Sequence, residues 1–378
     1  MAEDGSRRIR LGMIGGGTGS FIGYVHRVAS RIDGDFDLIA GALSSRKEVA
    51  LESGRNLGMA DDRIYTSYEE MAAAEAARED GIEAVAIVTP NHVHFGPAKT
   101  FLEAGINVIC DKPLTSTLED ARALAEVKPK NGARFLLTHN YTGYPLMRQA
   151  REMVASGRLG KIRVVQAEYP QDWLTEEVHN KQAEWRTDPE RSGAGGCIGD
   201  IGTHAYNLAR FVTGLETEAL SADLTSFVPG RQLDDNVNIM LRFKGGAKGM
   251  LWASQIAVGN ENGLRLRIYG EKGGLEWVQA EPNKMWFTEF GQPKQLLTRG
   301  GATPIGSDAG AARIPPGHPE GYLEAFATLY ADFAAILRGE KDEGLLPSLA
   351  DGVEGMEFIV AAVTSSNNDG KWTRLSEV

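Results

Sequence analysis

Apolar positions in the first third of the chain fall into two alternating patterns. Short, β-rich apolar runs occupy 9–14, 36–43, Ala84–Val88, Asn107–Cys110 and 135–138. Between them, apolar residues recur at helical spacing over 22–32, 48–57, 68–78, 94–104 and 118–127. Near-continuous apolar strands that alternate with helices predict a parallel, doubly wound sheet covered on both faces.

Beyond about residue 160 the period changes. Segments 161–169, Asn236–Phe243, 247–255, 264–269 and 274–278 show period-2 or β-rich patterning, with Gly245-Gly246 and Gly273-Gly274 as turn signals. This predicts a second, α+β domain built on an open, mainly antiparallel sheet. Residues 281–317 carry many Pro and Gly and read as a weakly structured excursion, whereas 320–337 has the apolar stripe of a helix. Apolar residues on both faces of the second sheet, among them Ile239, Leu241, Met250 and Trp252, leave one face in need of a cover. A homodimer or homotetramer through that face is expected.

Composition narrows the function classes. A chain of 378 residues exceeds one typical core, in keeping with two domains. Forty Lys+Arg against 51 Asp+Glu give a net charge of −11, which argues against a nucleic-acid or membrane surface. The cysteines, Cys110 and Cys197, lie far apart without CxxC spacing; a disulfide framework is not expected, nor is a metal site. Ser6-Arg7-Arg8 is followed by a strand and a glycine loop rather than an apolar leader, so a cytoplasmic protein is expected.

The candidate chemistry begins with strand, glycine loop and helix at the N-terminus. Gly15, Gly17, Gly19, Ser20 and Ile22 form this loop. Glycines permit close backbone approach, and the helix N-terminus attracts a pyrophosphate, so 1–138 reads as a Rossmann-type NAD(P)-binding domain. At the end of the second strand, where an NAD site usually offers an acid, stand Ser44, Ser45 and Arg46. Hydroxyls and a guanidinium suit a 2′-phosphate, so the cofactor reading leans to NADP. Asp111-Lys112-Pro113 follows a buried strand at the end where ligands bind in such sheets. Further on, GGCIGDIGTH places Asp200 and His204 at i, i+4, on one face of a helix. Asp200 also reads as an N-terminal cap, which is compatible with a role in a site.

These motifs together resemble the glucose–fructose oxidoreductase/inositol dehydrogenase (Gfo/Idh/MocA) family over essentially the whole chain. The resemblance rests on Gly23-Tyr24-Val25-His26 after the loop, Thr89-Pro90-Asn91 with His94, Ala104-Gly105 with Cys110-Asp111-Lys112-Pro113-Leu114, Gly157 with Gly160-Lys161-Ile162, and Gly195-Gly196 with Asp200, Gly202 and His204. Three departures stand out. Three extra residues precede Gly23, Asp111 replaces the family's Glu, and Asn207 stands where an acid is frequent.

The resemblance implies an NAD(P)-dependent dehydrogenase or reductase acting on a secondary hydroxyl or ketone of a sugar, cyclitol, sugar acid or glycoside. Lys112, Asp200 and His204 would be catalytic. Thr89, Pro90, Asn91, His94, Asp111, Lys112, Trp185 and Arg186 would join the glycine loop around the cofactor. Asn140, Tyr141, Tyr144, Trp173 and Tyr322 would join Lys112, Asp200 and His204 around the substrate. Arg148, His179 and His318 read as softer or plain loop positions. Residues 139–378 would form the substrate-binding and oligomerisation domain, with the 320–337 helix packing back at the domain junction. Rival readings are a glycoside-cleaving enzyme with transient oxidation, a reductase of non-sugar carbonyls, and a non-catalytic NAD(P)-binding regulator. No nucleic-acid or membrane partner is expected.

Overall fold

The computed structural model describes residues 7–178, 181–301, 311–340, 342 and 344–378. The chain divides into two compact units: residues 1–140 with Tyr322–Val353, and 141–321 with 354–378. No helix among the described residues is long and apolar enough to cross a membrane.

The first unit is the doubly wound sheet. Strands β1 (Ile9–Gly15), β2 (Phe36–Ala42), β3 (Ala84–Val88), β4 (Asn107–Cys110) and β5 (Phe135–Leu137) pair in parallel in the order β2-β1-β3-β4-β5. Every residue of β3 is buried, as its continuous apolar run requires. Helix α1 (Phe21–Ile32) follows the glycine loop. The helix Tyr322–Leu337 joins this unit's core, where Phe326, Tyr330 and Phe333 pack with Val25, Ala29 and Phe36. The Tyr330 hydroxyl of this helix lies 2.8 Å from His26 Nδ1 of α1. The His26 ring also meets Phe326 edge-on at 5.1 Å.

The second unit is built on nine strands. In chain order they are β6 (Ile162–Pro170), β7 (Thr217–Thr225), β8 (Asn236–Phe243), β9 (Lys248–Ser254), β10 (Arg265–Gly270), β11 (Gly273–Val278), β12 (Lys284–Glu289), β13 (Gln295–Thr298) and β14 (Thr373–Arg374). They lie in the order β13-β12-β11-β10-β6-β9-β8-β7-β14, antiparallel except for β6 with β9. Strands β12 and β13 correct the reading of 281–317 as weakly structured. Met285 and Phe287 are buried while Lys284 and Trp286 are exposed, the alternation of a strand covered on one face. In β8, Val237, Ile239, Leu241 and Phe243 are buried, whereas Asn238, Met240 and Arg242 face outward. Helix α2 (Pro145–Ala155) packs with α3 (Thr203–Thr213), and the Tyr206 ring of α3 stacks on Phe358 at 4.0 Å.

His26 and His139, two of the buried histidines of the first unit, contribute to its response to acid. Burial lowers His26 to about 4, opposed by the Asp111 charge and aided by that of Arg27. Burial, then the Lys112 charge, lowers His139 to about 4 against Asp351 and Asp111. Unfolded histidine titrates near 6.5. The unfolded chain therefore binds these protons first, and stability that is complete above pH ~6.5 is lost as the pH falls toward 4. Each group accounts for roughly 3 kcal/mol across that window. The stability of His26→Gln, measured by denaturant unfolding from pH 8 to 4, should fall less steeply than that of the wild type below pH ~6.5. Parallel curves would show that His26 does not titrate as a buried neutral ring.

Candidate functional site

In the first unit, β1 runs directly into the glycine loop. Gly15, Gly16 and Gly19 have φ of +73°, +70° and +83°, a region that side-chain-bearing residues rarely occupy. A Cβ on Gly23 would fall on the backbone of Gly16, so the loop and the first turn of α1 touch where neither carries a side chain. Ser20 caps α1, its Oγ accepting from Gly23 N at 3.2 Å, and Arg27 donates to Gly16 O. Gly19 faces open space, and Ile22 packs against the core. Gly17 lies against Ser53 and Leu43 O. A strand, a close-packed glycine turn and a helix start fit a dinucleotide pyrophosphate. At the end of β2, Ser45 and Arg46 are exposed, and Ser44 Oγ accepts from Arg46 N at 3.2 Å.

The turns after β3 and β4 are tied together by His94. Its buried ring lies 2.9 Å from both Thr89 O and Pro113 O. Pro90 leads into the short turn that carries the buried Asn91. Lys112 is half-buried, and Asp111 Oδ1 accepts from Lys112 N and from Thr138 Oγ1, both at 3.0 Å. Asn140 is 1% exposed, and neither polar atom of its amide has a partner among the described residues. A buried amide left this way costs ~1–3 kcal/mol, a cost that a bound ligand would relieve. The Tyr322 ring meets Phe326 edge-on at 5.3 Å.

The second unit carries Asp200 and His204 on one segment, but not on a simple α-helix. Ile198–Gly202 forms a π-turn that continues into α3. Such insertions occur frequently at functional sites. Asp200 Oδ2 accepts from Gln255 Nε2 at 2.9 Å and lies 3.3 Å from Arg186 Nε. The Arg186 guanidinium lies over the Trp185 ring at 4.3 Å. His204 is 8% exposed, and the Tyr141 ring meets it edge-on at 4.9 Å.

Behind His204 runs a chain of hydroxyls and amides. Tyr141 and Tyr169 are joined through their hydroxyls, and Tyr169 donates to Asn262 Oδ1 at 2.8 Å. Gln171 Nε2 donates to the same oxygen at 2.8 Å, and Trp173 Nε1 donates to Gln171 Oε1 at 3.0 Å. Asn262 Nδ2 donates to Gln279 Oε1, and Gln279 Nε2 to the Tyr144 hydroxyl. Burial pushes the Tyr141 hydroxyl above its ordinary value and keeps it a donor.

Tyr141, Tyr144, Trp173, Trp185 and Arg186 thus share the second unit with Asp200 and His204. Lys112, Asp111, Asn140, Tyr322 and the glycine loop belong to the first. Arg148 is 2% exposed and donates to Thr142 O, and His318 is exposed in a turn. His179 lies outside the described residues. Tyr169, Gln171, Gln255, Asn262 and Gln279 were not legible in advance. They sit at strand ends and in loops, and no local spacing marks them.

Comparison with known proteins places the chain in a family. Residues 9–139 match the oxidoreductase family with an NAD-binding Rossmann fold, and 147–276 match the GFO/IDH/MocA C-terminal domain. A solved oxidoreductase from Sinorhizobium meliloti is 54% identical, with 97% of this chain and 99% of that one covered and a TM-score of 0.89. An inositol dehydrogenase homolog from Azotobacter vinelandii, complexed with NADH and myo-inositol, is 36% identical over 98% of each chain, with a TM-score of 0.90. The uncharacterized oxidoreductase YfiI of Bacillus subtilis is 35% identical over 97% of each chain. With both halves matched and whole-length relatives at these identities, the chain belongs to the GFO/IDH/MocA family of oxidoreductases.

Proposed function

We propose that the protein is an NAD(P)-dependent dehydrogenase that oxidises a secondary hydroxyl of a polyhydroxylated ring, a cyclitol or a sugar, or reduces the corresponding ketone. The observation that carries this reading is the clamped Asp200 on the same segment as His204, backed by tyrosines and amides. Hydroxyls and amides donate and accept, which suits a ligand bearing several hydroxyls better than an apolar carbonyl compound. The likeness to a protein complexed with NADH and myo-inositol points the same way.

Oxidation of such a carbon removes a proton from oxygen and a hydride from carbon. When bound, the nicotinamide supplies the hydride acceptor. His204 takes the hydroxyl proton, and Asp200 accepts from the substrate and favours the charged imidazole. Lys112 offers its ammonium to the substrate oxygen as negative charge develops. A panel of cyclitols, sugars, sugar acids and glycosides, followed at the nicotinamide absorbance, should show turnover. His204→Asn and Lys112→Ala should each lower kcat by ~10²-fold with cofactor affinity little changed. Near-wild-type turnover in either variant would remove that residue from the mechanism.

Ser44, Ser45 and Arg46 support a preference for NADP. Without an acid at the end of β2 there is no repulsion of a 2′-phosphate, and Arg46 is exposed there. Arg46→Ala should weaken NADP roughly 10- to 150-fold and leave NAD nearly unchanged. A wild type that already prefers NAD would contradict this.

The outer face of the second sheet supports self-association. Met240 and Met250 are 57% and 55% exposed on adjacent strands, with Trp252 beside them. A homodimer or homotetramer through this face would cover them. Sedimentation at micromolar concentration should show the oligomer in the wild type and its loss in a Met240→Glu, Met250→Glu double variant. A monomeric wild type would exclude it.

A further inference from the structure

The helix that carries Asp200 and His204 starts inside the second unit, where its first N–H groups need acceptors. One residue distant in sequence supplies them. Asp234 Oδ1 accepts from Gly196 N at 2.7 Å, Asp234 Oδ2 from Ile198 N at 2.8 Å, and Asp234 O from Cys197 N at 2.8 Å. Three successive N–H groups are thus held by one side chain and its own carbonyl. The approach is tight. A Cβ on Gly196 would fall on Asp234 O and lie 2.8 Å from Leu233 Cβ, and a Cβ on Gly195 would fall on Ile198. Asp200 follows Ile198 by two residues, and its own N donates to Gly196 O at 2.9 Å.

We propose that Asp234 is a positioning residue, whose ionised carboxylate fixes the first turn of this helix and thereby the placement of Asp200 and His204. The proposal rests on the dehydrogenase reading of those two residues. A carboxylate accepts through both oxygens, whereas a protonated carboxyl presents an O–H where one acceptor was. Protonation of Asp234 therefore releases either Gly196 or Ile198. Burial, reinforced by Asp235 and opposed by the backbone N–H groups, pushes Asp234 up to about 6. The other charged and titratable groups here are few. Asp235 is itself bound by Phe227 N, Val228 N and Arg231. On the clamped segment lie Asp200 and the Cys197 thiol, which burial and Asp234 push upward. The helix turn should accordingly loosen as the pH falls through about 6.

The test follows the backbone amides of Gly196 and Ile198 by NMR in the full chain. In wild type and in His204→Asn, both resonances should titrate with a midpoint near that of Asp234. In Asp234→Asn the titration should vanish and exchange of these amides should quicken by ~10-fold or more, the loss of one charge-assisted hydrogen bond. The same variant should lose kcat by ~10-fold while keeping cofactor affinity within about twofold. Amides that do not titrate in wild type, or that exchange equally slowly in Asp234→Asn, overturn the clamp. Unchanged kcat with loosened amides overturns the positioning role. A wild type that turns over no polyol refutes the dehydrogenase reading instead, and the amide titration still decides the clamp. Because the wild-type and His204→Asn titrations need no change at Asp234, a variant that fails to fold leaves the decision intact.

Discussion

A helix that begins inside a protein must find acceptors for its first N–H groups, and this chain arranges two such helix starts for different ends. At α1 the loop is stripped of side chains, so that Gly16 and Gly23 touch and an anion can approach the backbone. At Cys197 the acceptor is internal: Asp234 spans the turn from the far end of the loop before β8. The first start is built to be completed by a ligand. The second is complete already, with the buried Asp234 carboxylate holding the start of the segment that carries Asp200 and His204.

The same economy governs the polar groups around His204. A hydroxyl or amide taken from water costs free energy unless it is paired, so buried polar side chains tend to form connected chains. Here Tyr141, Tyr169, Asn262, Gln279 and Tyr144 are linked in sequence, with Gln171 joining at Asn262 and Trp173 joining at Gln171. Most of these donors and acceptors satisfy one another, and the imidazole rests against a tyrosine whose position they determine. Asn140 is the contrast. Its amide is buried without a partner among the described residues, as expected of a group that meets its partner only when a ligand is bound.

Much of the fold was legible because its signals are local. The alternation of apolar strands and helices gives the parallel sheet, and period-2 runs give the second sheet. The helix Leu349–Ser366 was not read in advance, since Gly352 and Gly355 lower its intrinsic propensity and packing must make up the difference. Strands β12 and β13 were hidden by the Pro and Gly around them, although Lys284–Glu289 alternates cleanly. Residues such as Lys112, Asp200 and His204 sit in compact motifs. Gln255, Asn262 and Asp234 do not, because each reaches its target across tens of residues of chain and belongs to a type common on any surface. The π-turn at Ile198–Gly202 also has no sequence period of its own.

The proposed function turns on one step, direct hydride transfer from a ring carbon of a polyol to nicotinamide. The most direct measurement uses a cyclitol or sugar substrate deuterated at the carbon that is oxidised, with the reduced cofactor then analysed by mass spectrometry. Direct transfer requires the reduced nicotinamide to carry the deuterium, in proportion to the ketone formed. Reduced cofactor without label, or ketone formed without cofactor reduction, would contradict it.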